Sequence, residues 1–110
     1  MDFVSISPNP IEYKYNPRSI AIGDFNNDTR LDLVIPYHAI GMIGVFLGYG
    51  NGTFGNQIKY STGDKSSPTM VIVGDFNNDR ILDVAVANFD THSIGVFLGY
   101  GNGSLRDQIS

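Results

Sequence analysis

The sequence predicts an all-β chain made of two copies of one small antiparallel sheet. Three observations predict it. The chain repeats itself with an offset of 51 residues. Its apolar residues fall in short runs, and no stretch holds a helical 3.6-residue period over about ten residues. An Asn-Gly turn signal recurs at the same place in each copy.

The repeat sets the frame for everything else. Gly23 recurs as Gly74, Asp32 as Asp83, Gly44 as Gly95 and Gly52 as Gly103. Residues 23–52 match residues 74–103 at 18 of 30 positions without a gap. Pro17 recurs as Pro68, and Gln57-Ile58 as Gln108-Ile109. One copy therefore runs over 17–60 and the next over 68–110. Residues 1–16 read as the tail of an earlier copy, because IEYKY at 11–15 resembles QIKYS at 57–61.

Within a copy the elements follow in order. SIAIG (19–23) and MVIVG (70–74) are β-branched or apolar and predict the first strand. LDLVI (31–35) and LDVAVA (82–87) predict the second, and IGVFLG, at 43–48 and 94–99, the third. NQIKY (56–60), echoed by DQI (107–109), is a weaker fourth. YGNG (49–52 and 100–103) joins the third to the fourth, and its Asn-Gly pair is suited to positive φ at both turn positions. The strands are continuously apolar and do not alternate strictly, as expected of a sheet buried on both faces. Four antiparallel strands at this period describe one blade of a β-propeller. The expected fold is two four-stranded blades preceded by a partial strand, within a larger propeller.

Composition removes several classes of function. The 110 residues hold no Cys, so disulfides and thiolate metal sites are excluded. Seven Lys and Arg, unclustered in a chain of net charge −4, exclude a nucleic-acid partner. No apolar run reaches transmembrane length, so membrane insertion is not expected. MDFVSISPNP is not a signal peptide, lacking a basic start and a long apolar run. His38 and His92 are not repeat equivalents, which speaks against a shared catalytic role, and no activated nucleophile or phosphate loop stands out. Catalytic residues are not expected.

Six of the eleven acidic residues sit in two loops, GDFNNDTRLD (23–32) and GDFNNDRILD (74–83). Asp24, Asn26, Asp28 and Asp32 stand at alternating places in the first. Asp75, Asn77, Asp79 and Asp83 stand at the same places in the second. Every one of these side chains offers oxygen. An all-oxygen set suits a hard cation, and Ca²⁺ takes about 6–8 such ligands. Arg30 and Ile81 would contribute backbone carbonyls, since neither side chain carries an oxygen. Three carboxylates so close repel one another, and a divalent cation relieves that. Two bound Ca²⁺ ions are expected. An EF-hand is excluded, because Thr29 and Arg80 stand where it needs Gly, and Ile35 and Val86 where it needs Glu.

The order GDFNND-x-x-LD, apolar strand, GVFLGYGNG-[TS] resembles the FG-GAP repeats, also called VCBS repeats, of integrin α chains and many secreted proteins. The resemblance covers about residues 17–110. It implies a propeller in which the calcium loop joins the first and second strands of each blade. It also implies an extracellular or cell-surface setting and a role in protein binding or adhesion. The alternatives are a lectin-like glycan-binding module and an accessory region of a larger secreted enzyme. Thr29 and Arg80 depart from the glycine common at that place in the family, and a Cβ there strains the turn if φ is positive. Two blades would leave apolar end faces for flanking blades or for further copies of the chain to cover. Asn27, Asn51 and Asn102 open glycosylation sequons. Tyr49 and Tyr100 are expected to pack between blades, and Tyr37 and Phe89 to lie where loops gather.

Overall fold

A computed structural model describes residues 13–109. They form two antiparallel sheets. The first contains β1 (Ala21–Gly23), β2 (Asp32–Tyr37), β3 (Met42–Phe46) and β4 (Ile58–Ser61) in that order. The second contains β5 (Pro68–Gly74), β6 (Asp83–Asn88) and β7 (Ser93–Phe97). The register repeats with the sequence: Gly23 pairs with Asp32 and Gly74 with Asp83.

Three expectations are corrected. The partial strand over 11–15 falls partly outside the described residues, and Tyr13–Tyr15 form a turn of 3-10 helix. Among the described residues the fourth strand of the second copy is a bridge between Ile109 and Val96. Two backbone hydrogen bonds of 2.8 Å close it. The YGNG segments are not two-residue hairpin turns. Gly50, Gly52, Gly101 and Gly103 take positive φ, while the Asn between each pair does not. Asn51 Oδ1 instead accepts from the Thr53 amide and hydroxyl, and Asn102 Oδ1 from those of Ser104. A side-chain turn of this kind is what Asn does when glycine on either side takes the left-handed conformation.

The sheets pack face to face. Alternate residues of the first sheet, Val34, Ile43 and Val45, meet Val71, Val84, Val86 and Phe97 of the second in one core. Each such side chain contributes roughly 1.5–3 kcal/mol on burial. Phe25, from the first acidic loop, and Leu105, from beyond β7, complete this joint. Tyr60 crosses it, packing edge-on to Phe97 and accepting the Leu105 N–H at 3.0 Å. The opposite face of the first sheet is buried as well. There Leu33, Ile35, Tyr37 and Phe46 cluster with Tyr15 and Phe54. Continuous apolar runs in β2 and β3 follow from this two-sided burial.

Candidate metal centres

Each acidic loop joins the first strand of a sheet to the second, and both loops fold on the same hydrogen bonds. Asp24 accepts the amides of Asp28 at 3.2 Å and Thr29 at 2.8 Å, and Asp75 those of Asp79 at 3.0 Å and Arg80 at 2.7 Å. Asp28 Oδ1 accepts from Arg30 N, and Asp79 Oδ1 from Ile81 N. The last Asp of each loop opens the next strand and is fully buried. Its two oxygens are divided. Oδ2 of Asp32 takes the Phe25 amide at 2.9 Å, and Oδ1 takes the Gly48 amide at 2.8 Å. Asp83 does the same with Phe76 at 3.0 Å and Gly99 at 2.9 Å. One carboxylate thus ties the loop to the far end of the third strand.

Sequence reasoning names Asp32 and Asp83 as ligands and misses this brace. The available signal is that LD at the loop's end and LG at the strand's end recur together in both copies.

The donor set fits a hard cation. In the second loop one oxygen from each of Asp75, Asp79 and Asp83 lies within 4.8 Å of the others. In the first loop Asn26 Oδ1 is buried without a hydrogen-bond partner, an acceptor that a cation would satisfy. Asn77 is exposed. The side chains of Arg30 and Ile81 lie against Gly50 and Gly101 of the hairpin loops. Their carbonyls are the only oxygens these two residues offer.

Electrostatics divides the acids. Burial raises the Asp24 carboxyl, but the amides of Thr29, Asp28, Asn26 and Asn27 outweigh it and hold the group below its ordinary value. Asp75 is lowered in the same way, with Arg80 and Asp79 the main donors. Asp32 is raised, first by burial and then by Asp28 and Asp24, against the Gly48 and Phe25 amides. The signs oppose. A lowered carboxyl contributes stability that is lost as pH falls below about 4. A raised one makes stability fall as pH rises from about 4 through its folded value. In metal-free protein, Asp24→Asn with Asp75→Asn is expected to flatten the acid limb. Asp32→Asn is expected to remove a decline on the other side. Urea midpoints across the acidic range read both.

Thr29 and Arg80 have φ of 65° and 67°, so the departure from glycine places side chains in the left-handed region. That conformation costs a residue with a Cβ roughly 1–2 kcal/mol, and glycine's greater unfolded-state freedom returns about 0.5–1 of it. Thr29→Gly is expected to raise stability by about 0.5–1 kcal/mol, despite losing a hydroxyl bond to the Asp28 carbonyl. Arg80→Gly should act in the same direction. An unchanged or lower urea midpoint in both variants would refute the strain.

At the opposite end of the sheets the loops form a cleft of about 620 Å³ of mixed lining, with Ala39 and Ile40 beside His38, Asp64, Lys65 and Asp90. The Ser67 hydroxyl donates to Asp90. A neighbouring cavity of about 430 Å³ lies between Arg18, His38, Thr69 and Phe89. Phe89 lies there, where the loops gather, and is exposed, whereas Tyr37 is fully buried and bonded through its hydroxyl to Gln57. Tyr49 and Tyr100 do not pack between the blades. Both are half-exposed, and Arg106 lies over the Tyr100 ring. Asn51 and Asn102 are exposed, as sequon residues would need to be.

Two stacked antiparallel sheets, each with an acidic loop between its first two strands, define a blade-repeat protein. In agreement, residues 37–86 match the model of the FG-GAP-like repeat. That span runs from the end of β2, through the joint, to β6. No curated protein and no solved structure matches the chain. Among the described residues no helix is long and apolar enough to cross a membrane.

Proposed function

We propose that this chain is a non-enzymatic, calcium-stabilised β-propeller repeat module of an extracellular protein that binds another protein or mediates adhesion. The supporting observation is the recurrence of one loop. Two acidic loops keep the same set of internal bonds and carry oxygen-bearing side chains at the same places, although among the described residues only the carboxylates of Asp75, Asp79 and Asp83 converge within 4.8 Å. Asp24, Asn26, Asp28, Asp32 and the Arg30 carbonyl would hold one ion. Asp75, Asn77, Asp79, Asp83 and the Ile81 carbonyl would hold the other. Calcium would supply positive charge among carboxylates that repel one another, fixing the loop between the first two strands.

Calorimetric titration of the metal-stripped chain with CaCl₂ tests this. Two sites are expected, with dissociation constants of about 10⁻⁴–10⁻³ M, the range of extracellular modules. Absence of binding across millimolar Ca²⁺ would overturn the reading.

The cavity beside Phe89 favours a second reading, a glycan-binding module. An exposed aromatic ring next to Arg18, His38 and Thr69 offers stacking and hydrogen bonding together. Binding on a glycan array that is lost in Phe89→Ala would select it. An accessory role in a larger secreted enzyme would leave these residues non-catalytic too.

A further inference from the structure

The two YGNG loops are alike in themselves. Each is closed by a backbone bond, from the Tyr49 amide to the Thr53 carbonyl at 3.0 Å and from the Tyr100 amide to the Ser104 carbonyl at 3.1 Å. Each sets an exposed asparagine, Asn51 or Asn102, between glycines of positive φ. Asn51 Oδ1 accepts the Thr53 amide at 3.2 Å and the Thr53 hydroxyl at 2.5 Å. Asn102 Oδ1 accepts those of Ser104 at 3.0 and 2.6 Å.

An asparagine followed by glycine is open to attack on itself. The glycine nitrogen adds to the side-chain carbonyl carbon of the asparagine, since no Cβ on the glycine obstructs the approach. Negative charge then collects on Oδ1. Donors already aimed at that oxygen stabilise the charge as it develops. Both loops supply such donors, so the asparagine side chains do not distinguish the two sites.

The attacking nitrogens do. Gly103 N–H donates to the Phe25 carbonyl at 3.1 Å, across the joint between the sheets. Gly103 is buried there, and a Cβ on it would stand 2.9 Å from a methyl of Leu47. Its nitrogen can attack only after this contact opens. Gly52 is exposed, and among the described residues its N–H has no hydrogen-bond partner. Charge separates the loops as well. The Arg30 side chain lies along the first loop, its Nε 3.4 Å from where a Cβ on Gly50 would stand, while Ile81 takes that place at Gly101. A guanidinium nearby favours both loss of the amide proton and the oxyanion.

We propose that Asn51 is a site of spontaneous deamidation, and that Asn102, in the same motif, is protected by the joint between the sheets. Gly52 N gives its proton to hydroxide and bonds to Asn51 Cγ. The Cγ–Nδ2 bond breaks, and Nδ2 leaves as ammonia with a proton from water. The product is a succinimide, which water reopens. Cleavage of the new bond at Cγ gives aspartate. Cleavage at the main-chain carbonyl of residue 51 gives isoaspartate, with an extra carbon in the main chain. Either product adds a negative charge to the loop that Arg30 lines. The reaction needs neither calcium nor a binding partner, so its failure leaves the proposed function untouched.

The test is incubation of the full chain, produced without glycan, in mildly alkaline buffer made with heavy-oxygen water, followed by peptide mass spectrometry. Heavy oxygen marks only the conversions that occur during incubation. A parallel sample in concentrated urea gives the rate of each asparagine in the unfolded chain. The two should be similar there, because each is followed by glycine and then a hydroxyl residue. In the folded chain Asn51 is expected to convert at least about tenfold faster than Asn102, the ratio produced by an opening cost of about 1.4 kcal/mol at the joint. Arg30→Gln should slow Asn51 severalfold and leave Asn102 unchanged. Equal rates at the two sites in the folded chain would overturn the proposal. So would an Asn51 that converts in urea but stays intact in the folded chain.

Discussion

Asp83→Ala is expected to lower the stability of the metal-free chain by about 3–5 kcal/mol. The carboxylate is fully buried and accepts two amides, Phe76 N–H and Gly99 N–H. Its removal orphans both donors, each costing roughly 1–3 kcal/mol, and leaves a void beneath the loop. A small domain has only about 5–15 kcal/mol in total, so much of the second sheet's stability depends on this one side chain. Asp32→Ala should act equally on the first sheet, through Phe25 and Gly48. Urea unfolding in EDTA isolates the brace from any metal effect. Asp79→Ala is the control, because Asp79 is exposed and its Oδ1 accepts only a local amide. Equal midpoints for Asp79→Ala and Asp83→Ala would refute the brace.

Calcium is expected to raise the melting temperature, and Asp28→Ala together with Asp79→Ala to abolish that rise. An ion bound only by the folded chain at a hundredfold excess over its dissociation constant stabilises by about 2.7 kcal/mol per site. For a chain of this size each kcal/mol is worth roughly 4–8 °C. A shift of about 10 °C or more is therefore expected from a single saturated site. The two Asp residues are suited to the test because both are exposed. Removing them takes away ligands without opening the core, so the metal-free melting temperature should stay nearly constant. Thermal melts in CaCl₂ and in EDTA give all four values. A calcium shift of undiminished size in the double variant would refute the ligand assignment.

The two experiments read different links in the same loop. Asp32 and Asp83 hold the loop to the sheet whether or not an ion is present. Asp28 and Asp79 are expected to matter only with an ion bound. Asp24 and Asp75 stand between, since their oxygens already order the loop through backbone amides. The loop is ordered by its own hydrogen bonds, which would lower the ordering cost of binding an ion.

What the sequence by itself determined is what is local or repeated. The offset of 51 located both sheets, and the short strand-like runs located the seven strands of the described residues to within a few residues. Alternating Asp and Asn marked the loops, because neighbours in a tight turn are positioned by chain geometry alone. The positive φ at Thr29 and Arg80 was legible as a departure from glycine. Tertiary structure decided the rest, because it depends on residues far apart in the chain. The bond from Asp32 to Gly48 spans 16 residues, and so does that from Asp83 to Gly99. Tyr37 became core and Phe89 surface through the cover on each sheet, which neither segment encodes. Val45 and Val96 are repeat equivalents in the same motif, IGVFLG. One is buried because a second sheet lies against it, while the other looks onto an open face. The repeat dictates the kind of face, and stacking order dictates which copy of it is left exposed.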